Sequence, residues 1–420
     1  MAQFTSFRGL RYDDSRVELG KVLCPPYDVI KGAARDELLA QDPHNIVAVE
    51  LAARYGEQAT PEQYGHSAEL LKQWTQEGIL KRDDAAFYLY EQEFEVPGTG
   101  QTKKRRGVLG ALTLEPFGKG VQPHEHTLSG PKADRLNLLR ATRTNTSPIF
   151  GLVRDDDGWI DGLIQNYVET TPPSAQATTE DGVVHRLWRV LDDETVNGLE
   201  AAFENESVLI ADGHHRYETA LNYLNETGNE NGGENAVMML CVSMQDDGLI
   251  VLPTHRVVKN VEVGELKAKL GELFSVQSLS SLEDLEGVLG QDVGTTQIGL
   301  ILPDEFALLT LKEGDKPMDG TKSDAYNALD VSVLHQLILE RELGIDADKL
   351  AAGGYVVYTI HASEAAKYVQ GGEANAAFLL CSSPVAQVQE VADAGDKMPQ
   401  KSTYFYPKLV TGLVLRPLDG

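Results

Sequence analysis

Short apolar runs and amphipathic stretches alternate along the chain. Apolar runs of roughly four to eight residues, bounded by Gly, Pro, Asn or Asp, are typical of strands. These runs predict strands at 87–94, 108–114, 149–153, 185–190, 208–211, 237–244, 249–252, 297–302, 307–311, 356–360 and 376–381. Apolar residues spaced three and four apart predict helices at 60–80, 131–142, 193–204, 216–226, 331–343, 362–370 and 385–394. The pattern therefore predicts an α/β fold of the mixed α+β kind, with mixed sheets and flanking helices.

Two stretches are predicted to lie outside regular elements. Residues 1 to about 30 contain the adjacent prolines Pro25 and Pro26, which disfavour helix and hold the backbone extended, so an ordered loop is expected. The basic run 103–106, Lys-Lys-Arg-Arg, lies between two predicted strands and is interpreted as a solvated hairpin turn.

The length of 420 residues is enough for two or three domains, or for one intertwined body. The pattern of elements changes near residues 120 and 261. We therefore predict an N-terminal α/β region at 1–120, a central region at 121–260 and a C-terminal α/β region at 261–420, with one intertwined body as the alternative.

Composition restricts the class of protein. The formal net charge of −27 argues against a nucleic-acid surface, because binding the phosphate backbone requires a basic patch. Cys24, Cys241 and Cys381 form no Cys-x-x-Cys motif, which argues against a disulfide framework and a thiolate metal site. The sequence begins without a signal-peptide pattern and has no apolar run of about 18 residues, so a cytoplasmic protein without a membrane partner is predicted.

The most informative stretch of the chain is Asp212–Glu218, which reads DGHHRYE. An apolar run precedes it and a helix is predicted to follow it, so its glycine lies at a strand-to-helix turn. Such a turn directs backbone N–H groups and the positive end of the helix dipole at an anion. Asp212, His214, His215 and Arg216 add acid–base groups and a planar guanidinium. We therefore predict a functional site here rather than a solvated turn.

A second polar segment carries a glutamate flanked by histidines: His124, Glu125 and His126. Lys132 and Arg135 follow near the start of a predicted helix. This set of residues can combine a base with phosphate-binding cations, and the alternative is a solvated loop with a helix cap.

Two further segments carry candidate phosphate-binding or substrate-binding groups. His255 and Arg256 end a predicted strand, where α/β sheets tend to place ligand groups, although such a pair is as common on an ordinary surface. A basic and aromatic segment further on offers Lys401, Ser402 and Thr403. That segment could hold phosphate and stack a base, or it could simply pack its aromatic side chains.

A protein-bound metal ion is an alternative role for the same histidines. Four histidines could bind a cation if their two loops meet, with Glu125 or Asp212 completing the set. They are His124, His126, His214 and His215. Imidazoles at phosphate sites are just as often proton or hydrogen-bond donors. No protein-specific metal is therefore predicted, and Mg²⁺ carried by nucleotide phosphates is expected, with Asp212 as its candidate protein ligand.

Five separated motifs resemble, in order, the bacterial family known as domain of unknown function 1015. They are CPPYDV at 24–29, PHEHT at 123–127, SPIF at 147–150, ADGHHRY at 211–217 and KSTYFYPK at 401–408. The resemblance covers essentially the whole chain and does not by itself imply an activity.

Residues 212–216, placed after a strand and before a helix, are also similar to the ParB/sulfiredoxin-like superfamily, over about residues 120–225. That superfamily includes nucleotide-binding partition proteins, sulfiredoxins and free L-serine kinases. The kinases carry an Asp-Gly-His-x-Arg motif and use the glutamate of an upstream Pro-x-Glu sequence as general base, and Pro123–Glu125 is the matching candidate here. The sulfiredoxin signature requires a cysteine, and none lies between Cys24 and Cys241. Partition proteins require DNA-binding helices and basic charge, which this sequence lacks.

The residues and the resemblance together imply phosphoryl transfer between ATP or ADP, with Mg²⁺, and a small hydroxy amino acid, free L-serine first among them. The reverse or hydrolytic reaction would make the protein a phosphoserine phosphatase. In this interpretation Glu125 takes the hydroxyl proton, and Asp212 orients the nucleophile or holds Mg²⁺. The transferring phosphate would be bound by His214, His215, Arg216, Lys132 and Arg135. Two alternatives stay open, a non-catalytic nucleotide or phospho-metabolite sensor and a metal-dependent hydrolase.

Overall fold

The computed structural model describes residues 3–125, 129–291, 294–314 and 319–419. Its strands, numbered along the chain, are β1 Phe4–Thr5, β2 Phe7–Tyr12, β3 Leu80–Glu95, β4 Thr102–Thr113, β5 Val121–Pro123, β6 Thr144–Asn145, β7 Ile149–Val153, β8 Ala175–Thr178, β9 Val184–Val190, β10 Val208–Asp212, β11 Ala236–Ser243, β12 Ile250–Leu252, β13 His255–Val258, β14 Phe274–Leu279, β15 Gln297–Leu302, β16 Glu305–Leu311, β17 Val356–Thr359, β18 Ala376–Leu379, β19 Tyr404–Tyr406 and β20 Arg416–Pro417.

Helices flank these strands. They are α1 Leu19–Val22, α2 Ala34–Gln41, α3 Val47–Glu50, α4 Pro61–Gln76, α5 Ser129–Thr142, α6 Trp159–Thr170, α7 Asp193–Phe203, α8 His214–Thr227, α9 Leu266–Leu273, α10 Leu282–Val288, α11 Asp324–Asn327, α12 Asp330–Val333, α13 Ala347–Ala352, α14 Ala362–Gln370 and α15 Val385–Asp393, with a 3₁₀ helix at Gly233–Asn235 and a π-helix at Leu334–Glu342. None of the described helices is both long and apolar enough to cross a membrane.

The chain forms two compact units, and each is discontinuous in sequence. The first unit comprises Met1–Pro123, Thr127–Ile250 and Pro407–Gly420, and the second comprises His124–His126 and Val251–Tyr406. The division into three regions stays a prediction.

A ten-stranded mixed sheet forms the centre of the first unit. Its strand order is β5-β10-β7-β11-β4-β3-β9-β8, with β1 on β4 and β2 on β3. β10 pairs in parallel with β5, and β11 pairs in parallel with β7, whereas the other neighbours are antiparallel. β10 therefore lies between β5 and β7 near one end of the sheet, and α8, which follows β10, packs against α5.

Side chains from the sheet and from α6, α7 and α8 form the main core of the first unit. Among them are Phe87, Val108, Ile149, Ile160, Leu199, Ile210, Tyr217 and Met239, all at most 2% exposed. Each side chain of this size stabilises the fold by about 1.5–3 kcal/mol when fully buried. This core fixes the turn between β10 and α8, because Ile210 and Tyr217 anchor it on both sides.

The second unit contains a six-stranded antiparallel sheet of order β14-β16-β15-β18-β13-β17. Small and aliphatic residues of α14 and Leu285 of α10 pack on it, around buried Val257, Ile301 and Ala377. A separate two-stranded sheet joins β12 to β19. The helix predicted at 331–343 is present, but its second part is wound as a π-helix, Leu334–Glu342.

The α/β class with mixed sheets and flanking helices is confirmed, and two local predictions are wrong. The first 30 residues are not only loop, because they contain β1, β2 and α1. The run 103–106 is not a turn, because it belongs to β4, and the connection to β3 lies before it. Arg105 is 2% exposed, since alternation along β4 turns it inward while its neighbours lie nearer the surface.

Candidate functional site

The turn between β10 and α8 positions the central side chains of the first unit. β10 ends at Asp212, and its pairing with β7 is irregular between Ile210 and Asp212. Gly213 has φ +93°, a left-handed conformation that favours glycine, and α8 begins at His214. The predicted strand, glycine and helix are therefore all present, and the positive end of the α8 dipole lies beside Asp212.

Two cations bind the carboxylate of Asp212. Arg216 Nη2 lies 3.0 Å from Oδ2, and Lys408 Nζ lies 3.0 Å from Oδ1. Arg216 also donates to the carbonyl of Pro148, so the SPIF motif holds its guanidinium from the other side. Both ion pairs are largely shielded, with 11% of the Arg216 side chain, 14% of Lys408 and 22% of Asp212 exposed.

Arg105 is a third positively charged residue that acts on Asp212. Its buried guanidinium donates to Gln92 and to the carbonyl of Pro407, and it lies 4.7 Å from the centre of the Phe150 ring. Burial lowers the pKa of Arg105 to about 10, with Asp212 among the groups that act against the shift, so the side chain stays protonated at neutral pH. We call Asp212, Arg216, Lys408 and Arg105 the Asp212 cluster. Arg216 and Lys408 contact the Asp212 carboxylate, whereas Arg105 acts on it through its charge, and Asp246 is a second carboxylate that acts on Arg105.

His214 and His215 begin α8 directly after the Asp212 turn. His214 is buried at 4% exposure, and His215 is half-buried. Their predicted roles in binding and transferring the phosphate stay predictions.

The two cations predicted on α5 make contacts within the first unit. Lys132 forms an ion pair with Glu218 of α8. Arg135 Nη1 donates to Glu50 Oε1 at 3.0 Å and Nη2 donates to the Glu50 carbonyl at 2.9 Å, while Nε donates to Asp134 at 2.9 Å. Burial lowers the pKa of Arg135 and the two carboxylates raise it, with a net rise. A phosphate would have to displace these partners, so the phosphate-binding role of Arg135 and Lys132 stays a prediction.

Tyr27 of the CPPYDV motif lies beside Arg135, and no role was predicted for it from the sequence. Its ring centre lies 4.2 Å from the Arg135 guanidinium. Burial raises its pKa to about 12, and the charges of Arg135, Arg216 and Asp212 also act on it. The signal in the sequence that could have indicated Tyr27 is that it belongs to one of the five family motifs.

In the second unit, the glutamate predicted as base contacts the KSTYFYPK segment. Glu125 forms a parallel β-bridge with Met398, and its Oε2 accepts from the Lys401 N–H at 3.3 Å. His124 Nε2 lies 2.9 Å from Thr403 Oγ1. Lys401 has φ +57°, an uncommon conformation for a residue other than glycine. His126 lies outside the described residues.

Arg256 supports this loop from below the surface. Its Nη2 lies 3.1 Å from the Lys401 carbonyl and 3.3 Å from the Gln400 carbonyl, and its guanidinium carbon lies 5.4 Å from the centre of the Tyr358 ring. Burial lowers its pKa to about 10, so it remains charged at neutral pH. The structure therefore brings Glu125, Lys401 and Arg256 together, and no local sequence pattern predicted this proximity.

The remaining two predicted residues of the second unit contact the backbone. Ser402 donates to the carbonyl of Pro399. His255 is 5% exposed and accepts from the Leu380 N–H at 3.2 Å through Nδ1. Burial lowers the pKa of His255 to about 4, so it is neutral at neutral pH. Their ligand-binding roles stay predictions.

No group of three or more His, Cys, Asp or Glu side chains in the described part of the chain is arranged to hold a metal ion. Both oxygens of Asp212 already accept from cations. A divalent ion would have to compete with them, and both predicted roles of Asp212, orienting the nucleophile and holding Mg²⁺, stay predictions.

The fold and these contacts define a class, a mixed α/β protein whose first unit holds a cluster of cations around one carboxylate. Within this class the chain belongs to the family described as protein of unknown function (DUF1015), which it matches over residues 4–332. No curated protein matches the chain.

Several solved structures are distantly similar to this chain. A conserved hypothetical protein from Pyrococcus furiosus is 15% identical, with 69% of this chain and 89% of that chain covered, at a TM-score of 0.33. A free serine kinase in complex with AMP is 15% identical, with 71% and 98% covered, at a TM-score of 0.33. SbnI with a C-terminal truncation, from Staphylococcus aureus, is 10% identical, with 74% and 87% covered, at a TM-score of 0.36.

Proposed function

We propose that the protein transfers a phosphoryl group between a nucleotide and a small hydroxy amino acid, with free L-serine as the acceptor. The observation that carries this proposal is the Asp212 cluster, in which the Arg216 guanidinium and the Lys408 ammonium contact one carboxylate at the start of α8 and the buried Arg105 acts on it through its charge. These positively charged side chains, together with the helix dipole, suit a phosphate group.

Such a site can contribute to phosphoryl transfer mainly through charge and position. The transition state spreads negative charge over the oxygens of the phosphoryl group, so fixed cations stabilise it more than they stabilise the ground state. In the proposed reaction the hydroxyl oxygen of the acceptor forms a bond to the terminal phosphorus of the nucleotide. The bond from that phosphorus to the bridging oxygen breaks, and the bridging oxygen keeps the electron pair as part of the leaving nucleotide. The hydroxyl proton passes to a carboxylate base.

Asp212 is proposed as the residue that keeps the cations in place. Because its two oxygens bind Arg216 and Lys408 separately, it fixes the distance between their charged groups. Mg²⁺, carried in with the nucleotide phosphates, would neutralise part of their charge.

Glu125 is proposed as the base that accepts the hydroxyl proton. This role comes from the resemblance of the Pro123–Glu125 sequence, and the contact of Oε2 with the Lys401 amide is compatible with a carboxylate held in one orientation.

The proposed function is tested by incubating the full chain with ATP or ADP, Mg²⁺ and a panel of amino acids, followed by ³¹P NMR. A new phosphomonoester signal that requires L-serine supports phosphoryl transfer to serine. Phosphoserine supplied alone, with free phosphate as the product, would instead identify a phosphatase. Nucleotide binding without any product across the panel would contradict the enzyme and leave the sensor.

A further inference from the structure

A small cavity lies in the first unit beside Arg216, with both apolar and polar side chains in its lining. Its volume is about 40 Å³. It is lined by Glu50, Arg135, Leu138, Leu139, Thr144, Asn145, Thr146, Ser147, Arg216, Thr219 and Val237. A cavity needs about 10–15 Å³ to hold one water molecule, so this cavity has room for about three water-sized groups.

Three polar atoms of its lining are buried without a hydrogen-bond partner among the described residues. They are Glu50 Oε2, Thr219 Oγ1 and Arg216 Nε. Glu50 is 1% exposed and Thr219 is 3% exposed. Leaving a buried polar atom unsatisfied costs about 1–3 kcal/mol, so three such atoms around one cavity call for a ligand or ordered water.

The chemistry of these atoms restricts what can satisfy them. Glu50 Oε1 already accepts from Arg135, so the free oxygen Oε2 requires a donor. Arg216 Nε is a donor and requires an acceptor, whereas the Thr219 hydroxyl can serve as either. A ligand that fits all three must therefore carry a donor group and an acceptor group close together.

The exposure of the lining residues indicates which end of the cavity the donor and the acceptor of the ligand would occupy. Of the described residues that line the cavity, Arg216 is the one that is not buried, so the way in from the surface passes beside its side chain. The acceptor of the ligand would then lie at Arg216 and its donor deeper, at Glu50. Arg216 also binds Asp212 through Nη2, which connects the cavity to the Asp212 cluster.

We propose that this cavity binds the zwitterionic head of the amino-acid substrate, with its ammonium group on Glu50 and Thr219 and its carboxylate on Arg216 Nε. The proposal rests on the proposed function, because it assigns the amino-acid half of that reaction. The volume suits an ammonium group and its carbon, and the lining offers both a carboxylate and a guanidinium.

Calorimetric titration of the full chain with three related probes tests the charge requirement. L-Serine carries both groups, ethanolamine lacks the carboxylate, and 3-hydroxypropionate lacks the ammonium. We expect L-serine to bind at least about tenfold more tightly than either of the others, because each loses one charged hydrogen bond. Equal binding of ethanolamine or 3-hydroxypropionate would overturn the proposal.

Thr219→Val tests the cavity itself. The hydroxyl has no partner among the described residues, so its loss should leave the melting temperature of the ligand-free protein unchanged or raised. The affinity for L-serine should fall at least about tenfold, because the hydrogen bond that is lost is one to the charged ammonium group. Thr227→Val, an exposed threonine on the same helix, is the matched control and should leave L-serine binding unchanged.

Glu50→Gln is the stronger perturbation. It should weaken L-serine binding by more than tenfold and leave 3-hydroxypropionate, which has no ammonium group, unaffected. If Glu50→Gln fails to fold because Glu50 also binds Arg135, Thr219→Val still decides.

The result separates this inference from the proposed function. Unchanged L-serine affinity in Thr219→Val, in a protein that still binds ADP and makes product, means that the cavity holds only water and overturns the inference alone. L-Serine binding that depends on Thr219 in a protein that forms no phosphorylated product supports the inference and contradicts the proposed kinase.

Discussion

Asp212 shares its carboxylate between two cations, which makes it the residue with most influence on the site. Asp212→Asn keeps the shape but removes the negative charge that holds the cations Arg216 and Lys408 in place. We expect turnover to fall at least about 100-fold, while ADP affinity is kept or increased because a negative charge has been removed. Steady-state kinetics and calorimetry measure the two effects. Exposed Asp156→Asn is the control, and near-normal turnover in Asp212→Asn would show that the cluster is structural.

Arg216 contacts Asp212, the Pro148 carbonyl and the cavity at once, which requires a planar fork of donors. Lysine supplies a single point charge, so Arg216→Lys should raise the free energy of the transition state by about 1.5–3 kcal/mol. The ratio of kcat/KM values gives this energy directly. Arg140→Lys, in an exposed ion pair with Glu226, should leave kcat/KM unchanged. Equal values for Arg216→Lys and the unmodified protein would exclude direct ligand contact.

Glu125→Gln tests the proposed base. Glutamine can still accept from the Lys401 N–H but takes up no proton, so substrate binding should persist while kcat falls about 10²–10⁴-fold. The exposed Glu286→Gln, in the same unit, is the matched control. A normal kcat would remove Glu125 from the mechanism, and a lowered melting temperature with a normal rate would identify it as a structural residue.

At this scale the sequence predicted which residue types cluster but not all of their partners. Asp212 and Arg216 share one turn, so their proximity follows from local geometry. Lys408 is 196 positions away from Asp212, and no local pattern pairs the two. Glu50 and Arg105 were missed because a charged residue is normally solvated, and their burial depends on partners distant in sequence.

The strand–turn–helix element β10–Gly213–α8 gives the Asp212 cluster its geometry. A methyl group on Gly213 would lie 2.9 Å from Arg216 Nη2 and would require a positive φ. Gly213→Ala should therefore lower stability by about 1–2 kcal/mol and displace the guanidinium from Asp212. Gly228→Ala, at the other end of α8, imposes similar strain with no atom within 4 Å of the new methyl.

Both alanine variants should melt at lower temperature, but only Gly213→Ala should lose ADP affinity and turnover. Thermal melts and calorimetry on the two proteins separate backbone strain from displacement of Arg216. Equal loss of ADP affinity in both would mean that the position of Arg216 does not matter for binding.

Elements with a strong local pattern were predicted well. The ranges 149–153, 297–302 and 362–370 agree with the structure at both ends, because each is bounded by turn residues and has one clear period. β3 and β4 are longer than predicted, since their charged residues pair across the sheet instead of ending the strands. The π-winding of Leu334–Glu342 was missed because its apolar spacing resembles that of an α-helix.

Over the whole molecule, the net charge of −27 opposes the local excess of positive charge in the Asp212 cluster. The repulsion of an anionic nucleotide acts over long distances and is screened first, because the Debye length falls from about 30 Å at 0.01 M salt to about 8 Å at 0.15 M. The shielded cations of the cluster are screened much less.

The association rate of a fluorescent ADP analogue should therefore rise severalfold between these two salt concentrations, the reverse of ordinary electrostatic steering. Stopped-flow mixing measures the rate, and L-serine, with no net charge, should associate at a rate that does not depend on salt. A falling rate for the ADP analogue would mean that the local positive field dominates at long range.

The contact between Lys408 and Asp212 can form only after the ribosome has synthesised both residues. Translation adds about 5–20 residues per second, so the 196 residues that separate the two take about 10–40 s to synthesise. During that interval a nascent chain already contains Asp212 and Arg216 but has only one of the two cations that bind the carboxylate. A newly made chain therefore completes its Asp212 cluster late, after most of its fold has had time to form.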